Sequence, residues 1–270
     1  NNTLNAVGQI ELPLLMIDDE ADNASVNTKD PDSAPAAIND CVRRLLGQFS
    51  KATYLGITAT PFANIFIDPG KDDDLFPADF IYALSAPTNY IGAQRIFGDD
   101  GDFSGMLQPI DTYALEKVFP PKHKKDLLVS YLPDELIEAA NYFLLVNAIR
   151  DLRGDNTEHR SMMVHVSRFT NVQNQIADIF TMWLDQVKSD LRNYSQLAPA
   201  RAEKIGNIKA LHEVWDKYAL SLVSGIDWDE VLHTYLYRAV APIDVRAVNM
   251  KTGAGSLDYF NHKNDGLRVI

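Results

Sequence analysis

Two hydrophobic periods run along the chain, and the places where one gives way to the other mark the elements. Leu12–Ile17 is a short, nearly continuous apolar run that stops abruptly at Asp18-Asp19-Glu20. A run of that length bounded by charge predicts a strand buried on both faces of a parallel sheet. The polar stretch Asn23–Pro35 predicts a loop, after which Ile38, Val42, Leu45, Leu46 and Phe49 recur at helical spacing. Ala52–Thr58 predicts a second strand, closed by Thr60-Pro61. A third apolar run, Asn64–Ile67, meets the turn-rich Asp68–Asp74. Strand, helix and strand in that order point to an α/β sheet.

The middle is less regular, and the domain break is expected between Asp99 and Pro133. Pro120–Lys125 is basic and kinked. Leu136–Leu152 reads as an amphipathic helix, with Pro133-Asp134 at its start as the cap. Arg160–Val166 predicts a strand, and helices follow over about 171–192, 200–223 and 227–237. Ile243–Asn249 and Leu267–Ile270 predict closing strands. There is no internal repeat. The expected division is 1–110, a linker and helix over 111–155, and 156–270 with a helical insertion at about 196–237.

Composition narrows the function classes. The 270 residues are 46% hydrophobic and 23% charged, an ordinary balance for a folded protein. The single cysteine, Cys41, excludes a disulfide scaffold and a Cys-rich zinc module, and it suits a reducing, cytoplasmic setting. Cys41 lies beside Val42 on the first helix and reads as a small core residue. No apolar run approaches the ~20 residues of a membrane span. A net charge of −12 argues against wrapping nucleic acid with the whole surface but leaves room for a local track. The chain starts without Met and stops in a strand-like run, so it reads as an internal piece of a longer protein.

The sharpest chemical signal is Leu14-Leu15-Met16-Ile17-Asp18-Asp19-Glu20-Ala21-Asp22. A strand ending in Asp-Glu sets two carboxylates at the carboxyl edge of a sheet, where open α/β folds bind ligands. In a nucleotide hydrolase Asp19 would hold Mg²⁺ through water, and Glu20 would orient or deprotonate the attacking water. The same residues could also form an acidic cap on a helix N-terminus.

Roughly forty residues on, the second strand ends in Thr58-Ala59-Thr60-Pro61. Here the chain resembles the superfamily-two helicases and translocases. Asp19-Glu20-Ala21-Asp22 matches their second motif and Thr58-Ala59-Thr60 their third. The resemblance implies a RecA-like parallel-sheet core, ATP and Mg²⁺ as cofactors, and a third motif that contacts the second and couples ATP state to movement, with Asp22, Thr58 and Thr60 as the coupling residues. A plain turn with satisfied threonine hydroxyls is the alternative. The longer runs Asp18–Ser25 and Gly56–Asn64, with Asn89–Ala93, Ile96–Gly98 and His165–Phe169, are similar to the bacterial Z-one-domain ATPases. That likeness implies action on DNA in restriction or repair, and a nuclease or methyltransferase partner.

Met162–Ser167 followed by Arg168 would then open a second RecA-like domain, with Ser167 and Arg168 offering a hydroxyl and a guanidinium to nucleic-acid phosphates. An Arg paired with an acidic neighbour is the alternative. Lys122–Lys125 is a candidate phosphate track or a solvated loop. No Gly-x-x-x-x-Gly-Lys-Ser/Thr occurs: Gly70-Lys71 is followed by Asp72, and Gly253-Ala254-Gly255 lacks the lysine. The phosphate loop and arginine finger are therefore expected outside these residues, and the chain alone is expected to be inactive. No Glu-x-Lys pair suggests a nuclease centre, and no His pair is spaced for zinc. The competing view is a non-enzymatic interaction module on a degenerate ATPase fold, presenting helices 136–152 and 200–223 to a partner.

Overall fold

A computed structural model describes residues 4–23, 25–27, 36–71, 74–249 and 257–270. The loop 23–35, the turn at 72–73 and Gly253-Ala254-Gly255 lie wholly or partly outside them. The chain divides into two compact units, Asn1–Ser104 and Gly105–Ile270.

In the first unit, β1 (Leu14–Asp19) leads to α1 (Ala37–Leu46), β2 (Ala52–Ile57), α2 (Phe62–Ile65) and α3 (Ala93–Phe97). β1 and β2 pair in parallel, with Leu14 opposite Ala52 and Asp19 opposite Ile57. The helix between them makes this a βαβ unit, as a parallel pair requires. Exposure alternates along β1, so it is not buried on both faces: Leu15 and Ile17 are 61% and 59% exposed. Its inward face is Leu14, Met16 and Asp18; two strands and one helix supply cover on that side only. α1 turns Asn39, Val42, Arg43 and Leu46 inward, which leaves Cys41 exposed instead of in a core. The run Asn64–Ile67 continues α2 as a turn. Gly70 N–H donates to Asp68 Oδ1 at 2.9 Å, so Gly70-Lys71 belongs to a turn.

The second unit is mainly helical. It contains α4 (Thr112–Val118), α5 (Asp134–Leu152), β3 (Arg160–Ser161), α6 (Thr170–Tyr194), α7 (Pro199–Ala202), α8 (Gly206–Lys217), α9 (Leu220–Ser224), α10 (Trp228–Glu230), a π-helical turn (Val231–Leu236), α11 (Tyr237–Val240) and β4 (Arg268–Val269). α6 buries Val172, Ile176, Phe180, Leu184, Val187 and Leu191, one clean stripe. α5 is not the amphipathic surface helix its sequence suggested. It packs against α8, the π turn and α11, and even Asn141 and Asn147 are buried on it. Pro133 takes its N-cap position without a side-chain cap bond. The helix expected over 200–223 is broken twice, before Gly206 and at Ala219, whose φ of +48° is left-handed. Leu211, Val214 and Trp215 of α8 are buried in the helical core, as are Leu144, Leu145 and Ala148 of α5.

β3 and β4 pair in parallel, and Asp244 bridges Val269 in the same sense, giving the order 160, 268, 244 across the small sheet. The expected strands 160–166 and 243–249 are otherwise extended chain without a ladder. At the start of β3 and β4, Arg160 and Arg268 converge on Asp151 of α5, at 2.7 Å and 2.8 Å. Both arginines are buried, and the Asn147 and Ala239 carbonyls take further N–H bonds from them. Residues 111–155 thus lie within the second unit, with α5 in its core.

Candidate functional site

The acidic turn follows directly from the end of β1. Ala21 N–H donates to Ile57 O at 3.1 Å, which carries the parallel ladder one step past the strand. Ala21 is buried, and a Cβ on Gly56 would come within 2.9 Å of the Ala21 Cβ, so only glycine fits in β2 there. Between strand and ladder extension the chain must bulge, and Glu20 takes φ of +56°. A left-handed backbone costs a non-glycine residue ~1–2 kcal/mol, and such strain collects at working sites.

The carboxylates of this turn fall into two classes. Asp18 and Asp22 are committed. Tyr54 Oη donates to Asp18 at 2.5 Å, and burial, followed by that carboxylate, pushes the Tyr54 phenol up to about 12. Thr58 Oγ1 donates to Asp22 Oδ1 at 2.5 Å, and Thr60 Oγ1 donates to Asp22 Oδ2. Those hydroxyls, Thr58 first, hold the Asp22 carboxyl below its usual range. Thr60 N–H closes the arrangement on Thr58 Oγ1 at 2.9 Å. Asp19 and Glu20 are both exposed. Asp19 accepts only the Glu20 amide, at 3.0 Å, and the Glu20 carboxylate has no partner among the described residues.

Three residues to which the sequence assigned no role of their own hold the turn from behind. Asn64 Nδ2 donates to Ala21 O at 2.9 Å, and Ser25 Oγ to the same oxygen at 3.0 Å. Buried Asn39 of α1 donates to Ser25 O at 2.7 Å. Tyr54 holds the other end through Asp18. Asn64 closes the run Gly56–Asn64 that resembles the Z-one-domain ATPases, whereas Asn39 was marked only by its place on a helix face.

In the second unit, Ser167 and Arg168 sit just before α6 but differ in availability. Ser167 is buried. His123 Nδ1 lies 2.9 Å from Pro120 O, a carbonyl that can only accept, so the neutral ring carries its proton there. Its Nε2 then accepts the Ser167 hydroxyl at 2.8 Å, and Ser167 Oγ accepts the Phe169 N–H at 3.2 Å. The Ser167 hydroxyl is thus engaged within the protein, by the His123 ring and the Phe169 N–H. Arg168 is exposed, its guanidinium 5.0 Å from the Phe169 ring centroid, and no carboxylate pairs with it among the described residues.

A family model described as the Z1 domain matches residues 135–270, from α5 to the last strand. The chain belongs to the Z1 domain family. No curated protein and no solved structure matches it. The Z1 match covers the His123 partner Ser167, Arg168 and the Arg160–Asp151–Arg268 cluster, whereas the acidic turn and the threonine turn precede it. Among the described residues no group of three or more His, Cys, Asp or Glu side chains is placed to hold a metal, and no helix is long and apolar enough to cross a membrane.

Proposed function

We propose that this chain is part of an ATP hydrolase of the helicase and translocase type that acts on DNA, in restriction or repair, with its two small parallel sheets belonging to two RecA-like cores. The observation that carries the reading is the sorting of the acidic turn. Asp22 is clamped to Thr58 and Thr60 across adjacent strand ends, while Asp19 and Glu20 face solvent, Asp19 accepting the Glu20 amide and the Glu20 carboxylate without a partner among the described residues.

The residues fit a magnesium nucleotide. Mg²⁺ usually keeps several waters and takes one or two carboxylates plus substrate phosphates, so the lone exposed Asp19 suffices and a three-ligand cluster is not needed. When bound, the ion would neutralise charge building on the phosphates. Glu20, unpaired and carried on a strained turn, would orient and deprotonate the attacking water. Both Asp22 oxygens already accept a threonine hydroxyl. Its role would be mechanical: any displacement of the Thr58–Thr60 turn pulls on the turn that carries Glu20. With no Gly-x-x-x-x-Gly-Lys-Ser/Thr in the 270 residues, the phosphate loop would come from another segment or chain. A nuclease or methyltransferase partner would supply the chemistry on DNA.

The test is Thr58→Ala with Thr60→Ala in the intact protein. Basal ATP hydrolysis should stay within about tenfold of wild type, while stimulation by DNA falls much further, because the threonines touch Asp22 and not the nucleotide. Equal loss of both activities would contradict the coupling role.

A further inference from the structure

We propose that Lys122, Lys124, Lys125 and Arg168 form a seat for the phosphodiester backbone of nucleic acid, held in shape by the bond between His123 and Ser167. The inference deepens the reading above by naming where a DNA-acting protein of net charge −12 could meet its polyanion. Lys122-His123-Lys124-Lys125 is the densest run of basic residues in the chain, and only Asp126 offsets it nearby.

A run of lysines in a solvated loop would carry little weight, but this segment is fixed to the start of α6. His123 Nε2 and Ser167 Oγ are 2.8 Å apart. Asn171 Nδ2 donates to Lys125 O at 3.1 Å. Gln175 donates to Leu127 O and accepts Val129 N–H, both at 3.0 Å. Ser167 just before α6, and Asn171 and Gln175 on it, spaced four residues apart, thus hold the segment along its length. The backbone of Lys122 is left-handed at φ +67°, a conformation that needs such support. The His123 ring meets the Phe169 ring edge-on at 5.8 Å, and Arg168 lies against that same ring. The three lysines, all exposed, are therefore brought beside an Arg that no carboxylate neutralises among the described residues.

Exposure decides the ligand class. A single small anion gains little from exposed ammonium groups, as exposed ion pairs show. A polymer gains at each contact by releasing its condensed counterions, so a ridge of exposed cations suits a phosphodiester chain. Contacts of this kind position the strand and carry no base preference.

The experiment is fluorescence anisotropy of a labelled single-stranded DNA oligonucleotide with the 270-residue chain, without nucleotide, across a salt series. Binding should weaken linearly in log–log form with salt. Lys122→Gln, Lys124→Gln and Lys125→Gln together should reduce the slope by about 2, at ~0.7 per phosphate contact on a single strand. Arg168→Gln should reduce it by about 0.7. Lys209→Gln, an exposed side chain of α8, should leave it unchanged. His123→Ala should weaken binding although it removes no lysine, and a charge-only patch would not respond to it. Inorganic phosphate at matched ionic strength should compete no better than chloride. Absence of binding at low salt, an unchanged slope in the triple variant, or specific displacement by phosphate would each overturn the seat. Because no nucleotide is present, failure here leaves the Glu20 reading standing, and failure of hydrolysis leaves this one standing.

Discussion

The two units spend their apolar side chains in opposite ways. In the second unit Leu144, Leu145, Phe180, Leu184, Leu211 and Trp215 are almost wholly buried. In the first, Leu15, Ile17, Ile57 and Phe66 are each at least half exposed. Parallel sheets normally have both faces covered, and two strands alone are marginal. What keeps the first unit's strand ends in register is polar: Tyr54 on Asp18, two threonines on Asp22, Asn64 and Ser25 on Ala21. One unit is held by volume, the other by directed hydrogen bonds, and the candidate catalytic turn lies in the second kind of structure.

The largest effect should come from the buried charge cluster under the helical core. Asp151→Asn leaves Arg160 and Arg268 buried without a counter-charge, and stability should fall by ~3–5 kcal/mol. Chemical denaturation of the chain checks this, and a loss under 1 kcal/mol would show that neighbouring carbonyls alone satisfy both guanidiniums. Next, Leu144→Ala should cost ~2–5 kcal/mol, whereas Ile17→Ala, on the exposed sheet face, should change stability by no more than ~0.5 kcal/mol. Similar losses from both would erase the contrast between the units and mean that the sheet face is covered in solution.

The smallest effect is a titration. Burial first, and the bond to Asp18 second, push the Tyr54 phenol from 10.0 up to about 12, so the stability its neutral form contributes is full below pH 10 and is lost as pH rises through about 12. Asp22 has the opposite sign: held below 3.8, it contributes above that pH and fades only below it. Absorbance titration of the tyrosines, compared with Tyr54→Phe, should lose one component at the alkaline end. Loss of an ordinary component near pH 10 would place Tyr54 in solvent.

Much of this was legible in the pattern because strand ends punctuate a sequence strongly. The apolar run into Asp18-Asp19-Glu20 and the run into Thr58-Ala59-Thr60 mark β1 and β2, and their parallel pairing joins the two motifs. Burial was less legible. Leu15 and Ile17 read as core because an apolar run does not say how many layers cover it, and Cys41 misled because the inward face of α1 is centred on Asn39. α5 carries apolar residues on several sides, so its period faded once three neighbours enclosed it. The division of labour among four carboxylates was partly visible, since the likeness to helicases already set Asp22 against the threonines. Tyr54, Asn39 and Asn64 were not, because a hydrogen-bond partner 14 to 43 positions away leaves no local periodicity. His123 had none either: its pairing with Ser167 spans 44 positions.

The proposed role of Glu20 is to work on water, and its exposed carboxylate has no partner among the described residues. The direct measurement is ATP turnover by the intact protein carrying Glu20→Gln, read beside nucleotide affinity and melting temperature on the same preparation. The substitution is nearly isosteric, removes one charge and breaks no hydrogen bond among the described residues. Turnover should fall by ~10²–10⁴-fold, the contribution of a positioned general base, while affinity and melting temperature hold. Turnover within about threefold of wild type with a lowered melting temperature would contradict the account and make Glu20 an acidic cap, a role worth ~1 kcal/mol.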